Sequence, residues 1–504
     1  VSKYNVERVP HYIGGKFVEG TSGKLFQNMN PATNETLNEV AEGEAEDIHL
    51  AVQAARQAFD EGPWRTMGVA KRLEYIVRIA DLIEANAEEL SYLESLDTGL
   101  PISQTKKQAA RAAENFRFYA EMVKSRMVGE AYQVDSSFIN YTIHKPVGVA
   151  GLITPWNAPF MLATWKVAPA LATGNTCVLK PAEWSPLTAN KLAQIVHEAG
   201  LPPGVFNVVH GFGETAGAAL VAHPDVQLIS FTGETKTGSE IIKNGADTLK
   251  RCSMELGGKS PAIVFADADL ERALDAVVWG IYSFNGERCT ANSRLFVQEK
   301  IYDQFVDALK ERVANIIVGD PMDPATEVGP LIHRKHWEHV TSYIALAQAE
   351  GAEVISGIVP AECSTGNYIA PTLLLNCTNR MRVVQEEIFG PVLAVIPFKE
   401  ETEVLQMAND VKYGLAAYVW TNDMKRGHRL AQGIESGMVW INSQNVRDLR
   451  IPFGGAKASG IGREGGHYSF EFYTETQVIH VAIGEHPIPQ FGKKKEERTG
   501  IVAK

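Results

Sequence analysis

The chain has 504 residues, 45% apolar and 21% charged, the balance of a globular protein with a large core in more than one domain. A formal net charge of −12 argues against nucleic acid or an anionic membrane as a main partner. No apolar run is long enough to span a bilayer, and residues 1–10 lack the apolar core of a signal peptide. Cys177, Cys252, Cys289, Cys363 and Cys377 have neither disulfide nor zinc spacing, so a reducing cytoplasm is the expected compartment.

Residues 11–40 read as short strands and turns. From residue 46 to about 126 the pattern is helical, with Ala51, Ala54, Ala55 and Ala58 in one stripe and Leu73, Ile76, Val77 and Ala80 in another. Asp97-Thr98-Gly99-Leu100-Pro101 interrupts it with stop signals. A helix over 103–124 carries Arg111, Phe116, Phe118 and Tyr119. Residues 133–144 are strand-like, with no evident partner nearby in sequence. Buried-strand runs then alternate with helices: 147–153, 176–179, 205–209 and 226–231. This rhythm predicts a mostly parallel sheet covered on both faces, which binds nucleotides at its carboxyl edge. A second α/β series starts near Gly258, with strands at 262–265, 295–297, 392–396 and 418–420. Residues 477–483 read as one last strand, and the charge run 493–498 as a solvated tail.

Five junctions carry chemistry. Gly211-Phe212-Gly213-Glu214-Thr215-Ala216 matches a dinucleotide fingerprint and equally a plain glycine turn; Phe231-Thr232-Gly233-Glu234 is a second strand–turn–helix junction competing for phosphates. Met254-Glu255-Leu256-Gly257-Gly258 ends a strand at the seam of the two series, where a desolvated carboxylate acts as a base and an exposed one is only a turn residue. Asn157, in Thr154-Pro155-Trp156-Asn157-Ala158-Pro159, is placed to donate to an oxyanion or simply to make a turn. Cys289, in Asn285-Gly286-Glu287-Arg288-Cys289-Thr290, follows a helix predicted over 270–284 and precedes a strand, the setting of a loop nucleophile. His333, His336 and His339 recur every third residue; beside Arg334 and Lys335 they read as a solvated helix face rather than a metal site.

Together these runs, with Lys180-Pro181-Ala182-Glu183, Glu386-Glu387-Ile388-Phe389-Gly390-Pro391 and Pro452-Phe453-Gly454-Gly455, resemble the aldehyde dehydrogenase superfamily over residues 13–479. The resemblance implies an α/β fold: a Rossmann-like NAD domain (1–124 and 145–257), an α/β catalytic domain (258–466), and a β oligomerisation arm with tail (125–144 and 467–504), in a dimer or tetramer. It implies Cys289 as nucleophile, Glu255 as general base, Asn157 with the Cys289 N–H as oxyanion hole, and Lys166 and Glu464 as proton relay. For NAD it implies Lys180 and Glu183 at the adenine ribose, Glu387 at the nicotinamide ribose and Phe389 beside the ring. Ile153, Thr154, Trp156, Gly213, Phe231, Thr232, Gly233 and Leu256 complete the expected cofactor contacts. Glu183 would repel a 2′-phosphate, which favours NAD over NADP, while Glu234 near the phosphates is tolerable only if it turns to solvent.

Arg111 and the loop Ser443-Gln444-Asn445-Val446-Arg447-Asp448-Leu449-Arg450 place arginines where the family's substrate tunnel runs. Guanidinium groups bind carboxylates through a two-point fork, so Arg111, Arg447 and Arg450 predict a small anionic aldehyde. Their alternative is structural ion pairing, for example with Asp448. In this loop, and in Lys457-Ala458-Ser459-Gly460-Ile461-Gly462-Arg463-Glu464, the chain is most similar to dehydrogenases of hydroxymuconic semialdehydes. A broad-specificity aldehyde oxidiser and a catalytically silent structural oligomer are the other readings; the presence of Cys289, Glu255 and Asn157 opposes the last.

Overall fold

The computed structural model describes residue 4 and residues 6–494. At its centre stand two sheets. The parallel heart of the first runs β1 (Val149–Ile153), β2 (Thr176–Lys180), β3 (Phe206–Val208), β4 (Leu228–Thr232) and β5 (Arg251–Glu255). In space the order is β5-β4-β1-β2-β3. Both faces of β1 and β2 are buried throughout, which is why they read as unbroken apolar runs instead of alternating ones. The chain steps outward from β1 on one side and returns to β4 on the other. The order therefore reverses between β1 and β4, and the crevice at their carboxyl ends is where such sheets bind ligands. Its lips are the residues after Ile153 and after Phe231, two of the junctions expected to carry chemistry. The N-terminal hairpin His11–Ile13 and Lys16–Val18 extends the far edge beyond β3.

The second sheet holds β6 (Pro261–Val264), β7 (Arg294–Gln298), β8 (Glu353–Ser356), β9 (Thr372–Leu375), β10 (Val392–Phe398), β11 (Ala416–Trp420) and β12 (Met438–Ile441). Its order is β8-β9-β10-β7-β6-β11-β12, all parallel except β8. Helix α1 (Ile102–Arg126) buries Ala109, Ala112 and Ala113 against α2 (Pro159–Ala172), and these small side chains permit close approach. Proline at the first position of α2 fixes its start directly after Asn157.

Three features depart from the sequence pattern. Helix α3 (Leu270–Tyr282) stops two residues before Phe284, although Phe284 keeps the helical spacing. The strand β13 (Gly460–Ile461) follows the second series yet pairs with β5 of the first sheet, placing Gly460 opposite Glu255. The strand-like segment without a local partner finds one far away: Phe138–Pro146 pairs along its length with β14 (Thr474–Ala482), and Ala131–Gln133 completes a three-stranded ribbon. Of the charge run 493–498, residues 495–498 lie outside the described residues. Among the described residues no helix is long and apolar enough to cross a membrane.

Arg294 fastens the second sheet to its covering helix. Fully buried, it donates to the carbonyls of Lys259 (2.8 Å), Met407 (3.0 Å) and Ala408 (2.8 Å). Arg294→Met should cost about 3 kcal/mol, because three buried carbonyls lose a charged donor. A thermal melt should show Tm lower by several degrees; an unchanged Tm would contradict this role.

Candidate active site

After Tyr282 the backbone turns left-handed at three consecutive residues, Phe284 (φ 55°), Asn285 (φ 57°) and Gly286 (φ 74°). Glycine is required at 286, where a Cβ would lie 2.2 Å from the Gly390 carbonyl carbon. Asn285 pins the turn. Its amide donates to the carbonyls of Gly99 (3.1 Å) and Pro330 (2.9 Å) and accepts from the Gly329 N–H (2.7 Å). Gln104 of α1 accepts the Phe284 N–H at 2.7 Å. The helix is thereby broken and Cys289 is delivered, half-buried, to the seam between the sheets.

Two cavities meet there, of about 580 Å³ and about 170 Å³. Asn157, Thr232, Glu255, Leu256 and Cys289 stand in the walls of both. The Asn157 amide donates one hydrogen bond to the Glu287 carbonyl (2.8 Å), which orients its second N–H. Burial pushes the Cys289 thiol up to about 11; Arg447 pulls it down, while Glu387 and Glu255 add to the rise. Glu255 is held well above the usual carboxylate range by burial and then by Glu464, against the pull of Lys166, Arg463 and Arg447. Neither of its buried oxygens has a protein partner. Behind it the Lys166 ammonium donates to Glu464 (2.5 Å) and to Ser230 (2.9 Å), and the Ser230 hydroxyl donates to Glu464 (2.9 Å).

The larger cavity is built for a flat, polar group. The Glu387 carboxylate accepts the Gly258 N–H (2.7 Å) and lies so close to Gly257 that a Cβ there would come within 2.0 Å of it. Burial raises Glu387 to about 7, opposed by that N–H and by Lys259. Phe389, at a positive φ of 60°, meets the Trp156 ring edge-on at 5.4 Å. Lys180, the last residue of β2, and Glu183 just beyond it pair at 3.4 Å. The buried Thr154 and Thr232 hydroxyls at the sheet's carboxyl edge have no protein partner. This donor set fits a dinucleotide.

Three arginines converge on the smaller cavity: Arg111 from α1, Arg288 beside Cys289, and Arg447. Arg447 lies over Phe453 (4.1 Å) and Trp165 (5.7 Å), and its Nε donates to Asn445 (3.1 Å). Arg288 lies over Trp279 (4.6 Å) and donates to Ser283 (2.6 Å). Among the described residues none of the three forms an ion pair with a carboxylate, although burial lowers the pKa of each.

A family model for the aldehyde dehydrogenase family matches residues 17–479. The chain belongs to the aldehyde dehydrogenase family. It is 52% identical to 5-carboxymethyl-2-hydroxymuconate semialdehyde dehydrogenase of Escherichia coli, over 92% of this chain and 99% of that one. It is 44% identical to 2-hydroxymuconic semialdehyde dehydrogenase of a Pseudomonas species, over 95% and 100%. The crystal structure of HpcC from Thermus thermophilus superposes with a TM-score of 0.94 at 54% identity, covering 97% of this chain and 95% of that one. The NAD+ complex of an aldehyde dehydrogenase from Bacillus cereus gives 0.92 at 44% identity, covering 95% and 97%.

Within this aldehyde dehydrogenase the fold brings most sequence-selected residues together. Cys289, Glu255 and Asn157 share the junction, with Lys166 and Glu464 behind it. Trp156, Thr232, Gly233, Leu256, Glu387 and Phe389 line the larger cavity, and Phe231 packs under Gly233. Ile153 ends β1 beside Lys180. Glu234 is exposed just ahead of the helix Thr235–Gly245, which settles its charge in water near a helix N-terminus.

Gly213 opens a single π-helical turn, Gly213–Gly217, and the preceding Gly211 serves close approach to Gly43. Two expectations need correction. Arg450 points outward: its side chain is 80% exposed and paired with Asp448 at 2.6 Å, so it does not line the cavity. Of the three histidines only His339 is solvated. His333 stacks on Trp184 at 4.0 Å, and His336 sits near Trp156 and hydrogen-bonds the Phe389 carbonyl at 2.7 Å. Burial lowers them to about 3 and about 4, so both are neutral at pH 7. Asn285 and Arg288 went unassigned in the sequence; their only signal was membership of the cysteine motif.

A thiol raised to about 11 is mostly protonated at neutral pH. In the cofactor-free enzyme, iodoacetamide alkylation of Cys289, followed by mass spectrometry, should therefore quicken roughly tenfold per pH unit between about 8 and 10. Arg447→Leu should slow it at any fixed pH in that window. A plateau already reached at pH 8 would contradict the environment described.

Proposed function

We propose that this NAD-dependent aldehyde dehydrogenase oxidises 5-carboxymethyl-2-hydroxymuconate semialdehyde to the corresponding carboxylic acid in homoprotocatechuate (4-hydroxyphenylacetate) degradation. The observation that carries the reading is the pair Arg111 and Arg447, half-buried in the wall of the smaller cavity that Cys289 also lines, with no ion-paired carboxylate among the described residues. A buried cation without a protein counter-ion is costly unless a ligand supplies the negative charge. The proposed substrate brings two carboxylates. The 52% identity to an enzyme of that name supports the same choice.

The chemistry follows from the junction. The Cys289 thiolate adds to the aldehyde carbon, and an S–C bond forms as the carbonyl oxygen becomes an alkoxide. The second Asn157 N–H and the Cys289 backbone N–H receive that charge. NAD, held by Glu387 and Phe389, would supply the hydride acceptor, and loss of hydride from the former aldehyde carbon would leave a thioester on Cys289. Glu255 takes a proton from water as the water oxygen attacks the thioester; the S–C bond breaks and the acid departs. Lys166 and Glu464 then carry the proton away from Glu255 through their buried pair. Glu183 accepts ribose hydroxyls and disfavours a 2′-phosphate, in keeping with NAD over NADP.

The ribbon 131–133, 138–146 and 474–482 supports a homo-oligomer, dimer or tetramer, since it leaves Tyr132, Ile139, Val478 and Val481 exposed. Five free cysteines support a cytoplasmic site.

Two measurements test the reading. The kcat/KM for NADH formation should be highest with the dicarboxylate, lower with 2-hydroxymuconic semialdehyde, and lowest with a plain aliphatic aldehyde. Arg447→Leu should cut the first at least about tenfold. Equal efficiency on the aliphatic aldehyde would discard the substrate and keep the dehydrogenase. Separately, Glu255→Gln should leave a burst of NADH near one per site and then stall, with acyl-enzyme detectable by mass spectrometry. Because burial raises the Glu255 pKa, wild-type deacylation should speed up as pH rises and the base form fills. Full steady-state turnover by the glutamine variant would remove Glu255 from this role.

A further inference from the structure

The smaller cavity grades its positive charge from solvent inward. Three of its wall residues are exposed and so mark its mouth: Ser103, Lys107 and Trp279. Lys107 is the charged one, and among the described residues it forms no ion pair. Four residues further along α1, Arg111 stands half-buried in the same wall. That separation is one helical turn, about 6 Å of rise on a single face. Arg447 is half-buried as well, and Arg288, against the Trp279 ring, is only 8% exposed. Among the described residues the carboxylates of this wall are Glu255 and Glu464. Both are buried, and Glu464 is paired with Lys166. Glu114, next along that face of α1, borders a side cavity of about 80 Å³ instead. The larger cavity has another balance, with Glu234, Glu386 and Glu387 set against Lys335 and Lys412.

A chain of net charge −12 repels anions over most of its surface. An unpaired cation at an opening reverses this locally and raises the concentration of anions there. We propose that Lys107 captures anionic aldehydes at the mouth of the smaller cavity and passes them one helical turn inward to Arg111. Selection for charge then begins before the substrate reaches Cys289, and Lys107 acts on capture while leaving the chemical step alone. This rests on the reading above that the substrate is an anion.

The test measures kcat and kcat/KM with 5-carboxymethyl-2-hydroxymuconate semialdehyde and with propanal, in wild type, Lys107→Gln and Lys107→Glu. Sodium chloride runs from about 10 mM, where a charge acts over about 30 Å, to about 300 mM, where it acts over less than about 8 Å. Glutamine and glutamate match lysine in helix propensity, so both variants should fold. With the semialdehyde, wild-type kcat/KM should fall several-fold across this range. At low salt Lys107→Gln should lower it about threefold and Lys107→Glu about tenfold, and the three should converge at high salt. The kcat should stay within about twofold throughout, and propanal should show neither effect. A loss that persists at high salt, or that falls on kcat, would overturn capture and make Lys107 a direct contact. Variants that keep the full wild-type salt dependence, or a wild-type preference for the semialdehyde that salt does not touch, would overturn the role of Lys107 and keep the anionic substrate. No wild-type preference for the semialdehyde over propanal would overturn the substrate reading and this inference with it.

Discussion

One buried amide determines where the Cys289 thiol stands. Asn285 exchanges three hydrogen bonds with the backbone at Gly99, Gly329 and Pro330, and so ties the end of one helix and the approach to another onto the cysteine loop. Without those partners the chain after Tyr282 has reason to continue as helix, since Phe284 falls on the apolar stripe of α3. Left-handed backbone at a bulky residue such as Phe284 costs on the order of 1–2 kcal/mol. Each buried hydrogen bond that a lone amide would otherwise leave unmade is worth a comparable amount. The strain is over-determined by its surroundings, and the thiol gains a fixed place between two cavities.

Electrostatics at that place is governed by dryness. The thiol, the Glu255 carboxyl and the Glu387 carboxyl are all raised, and burial is the leading cause each time. The seam thus favours neutral forms at rest. Charge is compensated by geometry between Lys166 and Glu464, and aromatic faces receive it beneath Arg288 and Arg447. Such a site holds its titratable groups in their uncharged forms until something enters it. The same low polarity strengthens every oriented N–H that faces a developing oxyanion.

Strand ends were legible in the sequence because buried runs stop visibly: Asn157 follows β1 and Glu255 closes β5. The two-series organisation was legible for the same reason. Side-chain direction in irregular loops was not. Arg447 and Arg450 are three residues apart in one loop, and what turns the first inward is a pair of rings, Trp165 and Phe453, from elsewhere in the chain. His333 and His336 looked solvated beside Arg334 and Lys335, since nothing local announces Trp156 and Trp184 arriving from more than a hundred residues away. The pairing of Phe138–Pro146 with β14 was beyond any local pattern, being a contact between distant parts of the chain.

The two-residue strand β13 has a consequence of another kind. An open sheet ending at β5 would expose a row of unpaired backbone donors and acceptors, the template on which chains join edge to edge. Gly460 and Ile461 occupy that row next to Glu255, and the short hairpin at 11–18 occupies the opposite rim with Lys16 at its tip. The sheet whose last strand ends at Glu255 is thus guarded at both margins against its own copies.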